Sequence, residues 1–248
     1  MGDKLHKTKG IVLRTVKYGE TSLVVTVFTE LFGVQSYLVS GVRSTSARGG
    51  TKAVYFQPAA ILDLVVYHNE LKQLNRIKEY GWSHIYRHVF SEVPANAVAL
   101  YMMELLSKCL RQPETNTDLF HFTEDCLLHL DKSKGTVLAN LSLFFSLHLP
   151  YHFGFRMTDN YTKDRCYLDL QEGSFSEIQP GHPYFLEEKQ ALVASRLLKV
   201  MQPEELADLA LNHDFRRLLL QQMEIYYALH VPDFGTLRTL PVLREVLR

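Results

Sequence analysis

The hydrophobic pattern of this chain changes period once, near Ser91, and that change constrains the fold more than any other feature. Before Ser91, apolar residues alternate at every second position. After it they recur with a period of 3.6. The first period belongs to strands with one face buried, the second to amphipathic helices. An α+β chain is therefore expected, with a strand-rich first part and a helical second part.

The strand region can be read in detail. In residues 9–20, Ile11, Leu13 and Thr15 face one way and Val12, Arg14 and Val16 the other. Residues 23–28 are β-branched and nearly all apolar, which suits a central strand. A turn at residues 30–33 follows, with Gly33 supplying positive φ, and then a strand over 34–42. Residues 60–67 and 71–77 read as the fourth and fifth strands, joined by His68-Asn69-Glu70. Five short antiparallel strands within residues 1–80 predict a five-stranded OB-fold barrel.

In the helical part, residues 81–248, Ser91 is expected as an N-cap and Pro94 in the first turn of a helix to about residue 111. Val98, Met102, Leu105, Leu106 and Cys109 form its stripe. Pro113 interrupts. A second helix carries Leu119, Phe122, Cys126, Leu127 and Leu130, and a third, over 137–151, carries Leu138, Leu141, Phe144, Phe145 and His148. These broad stripes predict a bundle. Residues 154–185 are polar and are expected to form a small inserted element with a hairpin at 166–170 and 174–178. Helices resume over 187–201 and 203–230, with a break at 212–214, and the tail from Pro232 docks on the bundle.

The formal net charge is zero, but it is unevenly distributed. Residues 1–90 hold 12 Lys+Arg against 6 Asp+Glu, and the remaining residues hold 15 against 21. A basic strand-rich part with an acidic remainder suggests a polyanion partner for the first part. Three cysteines, Cys109, Cys126 and Cys166, are too few and scattered for a disulfide framework. No signal peptide or membrane span is expected, so the chain reads as cytoplasmic.

Catalytic motifs do not emerge. Gly49-Gly50-Thr51-Lys52 has the wrong order for a phosphate loop, and no Gly-x-Ser-x-Gly elbow exists. His84 with His88, and His148 with His152, are spaced for one helix face but lack the glutamate of a zinc-protease motif. The cations are more coherent. Lys7, Lys9, Arg14, Lys17, Arg43, Arg48, Lys52, Lys72, Arg76 and Lys78 all fall on the strands and loops of the expected barrel. Arg43 and Arg48 flank Ser44-Thr45-Ser46 on a glycine-ended loop suited to following a phosphate backbone. Tyr18, Tyr37, Tyr55 and Tyr67 are candidate stacking platforms, with half-buried packing as the competing role.

The ordered set Lys9-Gly10-Ile11-Val12-Leu13-Arg14, Tyr18-Gly19-Glu20, Phe28-Thr29-Glu30-x-x-Gly33 and Gly41-Val42-Arg43, with Gln57-Pro58 before the fourth strand, resembles the opening of the RecO recombination mediators. The order of parts is similar along the whole chain. The resemblance implies a non-enzymatic DNA repair and recombination protein of the RecF pathway. Such a protein binds single- and double-stranded DNA, promotes annealing, binds RecR, contacts the C-terminal tail of single-stranded DNA-binding protein, and helps RecA load. By position it makes Arg14, Arg43 and Arg48 the expected DNA contacts, with Lys17 and Lys52 next. Many members carry four cysteines in the inserted element around a structural zinc. Here only Cys166 remains, so a degenerate zinc-ribbon-like region without zinc is expected. For the acidic-hydrophobic tail, the expected cations are Lys108 and Arg111 at the end of the first helix and Lys132 and Lys134 after the second. Two other functions stay open from the residues alone: a protein-interaction scaffold and an RNA-binding OB protein.

Overall fold

The strand-period region folds into β1 (Lys4–Tyr18), β2 (Ser22–Thr29), β3 (Gly33–Val39), β4 (Ile61–His68) and β5 (Asn75–Trp82) in a computed structural model that describes residues 4–43, 52–110 and 112–247. The strands close into a barrel in the order β1-β2-β3-β5-β4, with β4 pairing back onto β1. All pairings are antiparallel except β3 with β5, which is parallel and covers only Tyr37↔Asn75 and Leu38↔Arg76. This is the connectivity of an OB barrel.

Two bulges account for departures from simple alternation. Val12 pairs with Val27 but Arg14 pairs with Thr26, so Leu13 is an extra residue on β1. Ile11, Val12 and Leu13 are consequently all buried, and Val12 does not share the outward face of Arg14 and Val16 as alternation predicts. On β5, Lys78 is the extra residue between Ile77 and Glu79. The fifth strand also starts later than expected. Leu71 and Leu74 precede it in the β4–β5 connection, and the strand itself carries Arg76, Lys78 and Glu79.

A distant segment joins the barrel. The chain divides into two compact units, Met1–Arg87 with Leu110–Leu127, and His88–Cys109 with Leu128–Arg248. Phe28 faces out of the barrel yet is fully buried, because Phe120 packs on it with ring centroids 5.6 Å apart. Lys9 Nζ donates to Glu124 Oε1 at 2.8 Å. At Gly33, φ is +61° and a Cβ would stand 2.2 Å from the Glu114 carbonyl oxygen, so only glycine fits there.

The second unit is helical: α1 (Val93–Cys109), the last turn of α2 (Thr117–Lys132), α3 (Gly135–His148), α4 (Glu188–Leu198), α5 (His213–His230) and α6 (Thr239–Val246). The expected break before α5 is a cap, Asn212, whose side chain accepts from Phe215 N–H at 2.8 Å. The tail docks through Glu104, whose carboxylate accepts from Arg238 N–H, Thr239 N–H and Thr239 Oγ1 at the start of α6.

The inserted element forms β6 (Tyr167–Asp169), β7 (Ser174–Ser176) and β8 (Phe185–Leu186), ordered β7-β6-β8. The expected hairpin closes through Gly173, at φ +64°. Leu168, Leu170, Phe175 and Leu186 are buried beneath it. Helix α5 supplies an aromatic clamp. Tyr226 Oη donates to the Phe155 carbonyl, His230 Nε2 meets the Leu170 carbonyl at 2.9 Å, and the His230 ring stacks on Phe155 with centroids 5.5 Å apart.

Candidate nucleic-acid interface

The strand registers define one continuous outer face on β1, β2 and β3. Directly opposed residues share a face, so the rows can be read across the sheet. One row is Arg14–Thr26–Ser36. The next is Val16–Val24–Leu38, extended by Arg76 through the β3–β5 pair. The last is Tyr18–Ser22. Arg14, Val16, Tyr18 and Arg76 are exposed, and Val24 and Leu38 half-exposed. The face is thus an apolar strip with an arginine at either side and a tyrosine at its end. Charged groups that follow phosphates and flat apolar surfaces that meet bases are the two elements of sequence-tolerant binding.

The loop end of this face gathers further cations. Lys17 is exposed next to Tyr18 on β1. Arg43 folds back on the β1–β2 turn: its N–H donates to the Thr21 carbonyl at 3.0 Å and its Nη1 to the Gly19 carbonyl at 3.4 Å. Lys52 is exposed and starts the 3₁₀ turn Ala53–Phe56, whose Phe56 carbonyl accepts from Thr15 Oγ1 at 2.6 Å. The structure therefore brings Arg14, Lys17 and Arg43 to one face or its rim and anchors the segment behind Lys52 to the same strand. Arg48 lies outside the described residues.

Arg76 was not among the expected contacts, although it belongs to this face. It lies within the expected fifth strand, but only the β3–β5 register places it on this face. Lys9, by contrast, is engaged by Glu124, and that bond holds its ammonium pKa above the ordinary value. With residues 110–127 counted, the barrel unit carries 13 Lys+Arg against 10 Asp+Glu, so the returning segment halves its excess of positive charge from +6 to +3.

The tyrosines separate. Tyr18 is 57% exposed and free to stack. Tyr37 is fully buried in the barrel, where desolvation pushes its phenol pKa far up, so it serves packing. Tyr55 stacks on Trp82 with centroids 4.7 Å apart. Tyr67 lies at the surface opposite Leu5.

In the helical unit, Lys108 and Lys132 are not brought together. Lys108 Nζ donates to the Phe234 carbonyl and stands 5.1 Å from the Phe234 ring centroid. Asp131, beside Lys132, accepts from the N–H groups of His88 and Val89, just ahead of α1. Lys108 is at the far end of α1, roughly 20 Å away at 1.5 Å per residue. Lys132 and Lys134 are exposed. Arg111 lies outside the described residues.

Cys166 is half-exposed and not in a disulfide. Among the described residues no group of three or more His, Cys, Asp or Glu is placed to hold a metal ion, and no helix is long and apolar enough to cross a membrane.

A five-stranded OB barrel with a cation-flanked outer face, followed by a helical unit with a small inserted sheet, defines the class: an OB-fold protein with a helical second domain. Sequence comparison narrows the class to one family. Residues 1–86 match the model of "Recombination protein O N terminal" and residues 91–238 that of "Recombination protein O C terminal". The chain is 32% identical over 247 residues to the DNA repair protein RecO of Bacteroides fragilis, covering 98% of this chain and 99% of that one. To the DNA repair protein RecO of Phocaeicola vulgatus it is 30% identical over 243 residues, with 98% and 99% covered. To that of Christiangramia forsetii it is 28% identical over 242 residues, with the same coverage. The chain belongs to the RecO family of DNA repair proteins.

Proposed function

We propose that this protein is a recombination mediator of the RecF pathway that binds single- and double-stranded DNA through the outer face of β1–β3. On this reading it promotes annealing and, with RecR, helps RecA load. It acts by binding and positioning strands rather than by breaking or forming covalent bonds. The observation that carries the reading is the row Val16–Val24–Leu38–Arg76 lying beside Arg14 and Tyr18. It offers apolar contact for bases between cations for phosphates.

Arg14, Lys17 and Arg43 are assigned to phosphates, with Lys52 next; Arg48, outside the described residues, is assigned to them from the sequence alone. For the acidic tail of single-stranded DNA-binding protein, Lys132 and Lys134 are the exposed cations, whereas Lys108 is occupied by Phe234. The inserted element needs no zinc on this reading, since buried apolar residues and the Tyr226–His230 clamp do the holding.

A titration of labelled single-stranded DNA at 50 and 200 mM salt tests the reading. Contact with five phosphates lowers the affinity between these salts by roughly 100-fold, since the logarithmic slope is about −0.7 per phosphate for single strands. Affinity that ignores salt would argue instead for a protein-interaction scaffold. Equal competition by RNA of the same length would argue for an RNA-binding role.

A further inference from the structure

Strand β1 is long enough to serve two faces of the barrel. Its second half pairs with β2 and carries the proposed DNA face. Its first half, from Lys4, pairs with β4, and β4 pairs in turn with β5. The registers set three outward rows across these strands: Leu5–Tyr67–Arg76, Lys7–Val65–Glu79 and Lys9–Asp63–Gly81. Leu5 is 47% and Tyr67 36% exposed. Lys7, Asp63, Arg76 and Glu79 are exposed as well. A groove of about 590 Å³ crosses the middle of this face, between Lys7, Asp63, Val65, Glu79 and Gly81.

Two features of the face are not explained by packing within one chain. The first is Gly81. It sits inside β5 without a positive φ, and a Cβ there would meet nothing within 4 Å among the described residues. Glycine weakens a strand interior, and it often marks a place where a ligand or another backbone comes close. The second is the order of charges. Lys7 and Lys9 stand on the β1 side, Asp63 in the middle and Glu79 on the β5 side, where its Oε1 meets Lys78 Nζ at a long 3.5 Å.

A polyanion would be repelled by Asp63 and Glu79, and a protein surface of one sign by half of the face. A copy of the same face, turned about a two-fold axis along β4, meets opposite charges, because that axis exchanges the β1 side with the β5 side. Lys7 of each copy then faces Glu79 of the other. The Lys9–Glu124 pair, joined at 2.8 Å, stands over the hollow at Gly81 of the second copy. Asp63, on the axis, has its own Lys9 on one side and that of the second copy on the other. Val65 and Tyr67 meet their own counterparts. We propose that the β1–β4–β5 face pairs with a second copy of this chain, giving a two-fold dimer centred on Val65 and Tyr67. Strands β2 and β3 stay uncovered, so one particle carries two of the proposed DNA faces, with Arg76 at the margin of each. Three rows of three residues are fewer than the roughly 20–30 residues a side of a standard interface, so the dimer is weak and concentration-dependent.

Sedimentation velocity of the full-length protein without DNA, from about 5 to about 200 μM, tests this. The parent is expected to shift from monomer toward dimer across the range. Lys7→Glu and Glu79→Lys each create two like-charge contacts through the symmetry and should weaken association by about tenfold or more. The double variant restores both contacts and should return to within about threefold of the parent. These side chains are exposed, so the thermal midpoints of all three variants should equal the parent's. Gly81→Thr should raise the thermal midpoint, since it replaces glycine within a strand, yet weaken association by about fivefold or more. A parent that stays monomeric at the highest concentration would overturn the dimer and leave the face to another partner. So would a dimer that either single reversal leaves intact, a double variant that stays monomeric, or a Gly81→Thr variant that associates as the parent does.

Discussion

The outer face of the barrel and the core of the helical unit hold arginine in opposite ways. On the barrel, Arg14 and Arg76 stand exposed on one outer face. In the helical unit, Arg216 is 8% exposed and each nitrogen of its guanidinium donates inward: Nε to Asn140 Oδ1 at 3.1 Å, Nη1 to the Leu247 carbonyl at 3.3 Å and Nη2 to the Leu211 carbonyl at 3.0 Å. Burial lowers the pKa of Arg216 and of Arg244. Lys108 is held by Phe234. The difference shows that partners, not numbers, decide which cations can meet a polyanion. Even on the barrel, Lys9 is excluded by Glu124.

Removing an inward cation should cost stability and leave DNA affinity alone. Arg216→Met leaves three acceptors without their donor, two of them in buried hydrogen bonds, and the thioether cannot replace it. It is expected to lower the unfolding free energy by about 3 kcal/mol in urea titrations. DNA affinity of the folded fraction should be unchanged; a loss of affinity at full stability would break the comparison.

A smaller effect is expected at the inserted element. Gly173 has φ +64°, and a Cβ there would lie 3.0 Å from Tyr226 Oη. Gly173→Ala should destabilise by about 1–2 kcal/mol, through backbone strain and displacement of the clamp. Denaturation midpoints check this, and an unchanged midpoint would show that Tyr226 does not hold the element.

Lys9 sharpens the contrast within the barrel. Its pKa is raised above 10.5 chiefly by the hydrogen bond to Glu124. A raised cation pKa stabilises the fold fully at pH below the unfolded value, and the contribution disappears as pH rises through the folded value. The stability difference between the parent and Lys9→Met should thus be constant at neutral pH and decline as pH rises past about 10.5 and through the raised folded value. The Lys9 side chain is 42% exposed, so the difference should be under about 1 kcal/mol. A difference that persisted at high pH would assign the effect to packing of the lysine stem.

The smallest effect expected is at Cys166. Elemental analysis should find no stoichiometric zinc, and Cys166→Ser should shift stability by less than about 0.5 kcal/mol. One zinc per chain, lost in this variant, would contradict the apolar account of the inserted element.

Much of the fold is legible in local pattern. The β-branched run of β2, the turn glycine at Gly33 and the break at 212–214 each declare themselves within a few residues. The fifth strand did not. Leu71, Leu74 and Ile77 carry an apolar signal, but only Ile77 belongs to β5, whose exposed face is Arg76, Lys78 and Glu79. The leucines that mislead a reading by hydrophobicity are those the structure displays on a loop. The packing of residues 110–127 on the barrel was also illegible, because Phe120 and Glu124 meet Phe28 and Lys9 across roughly ninety to a hundred and fifteen positions of sequence. Of the candidate interface, Arg14, Lys17 and Arg43 could be named from the sequence. Arg76 needed the β3–β5 register, a parallel pairing of two residues that no periodicity reveals.

The most direct measurement is the salt dependence of single-stranded DNA binding for the parent and for the combined variant Arg14→Ala, Arg43→Ala, Arg76→Ala. If these three arginines each meet a phosphate, the slope of log affinity against log salt should flatten by about 2, and affinity should fall for all sequences alike while the unfolding midpoint holds. A slope and an affinity equal to the parent's would contradict the account and move the DNA site off this face of the barrel.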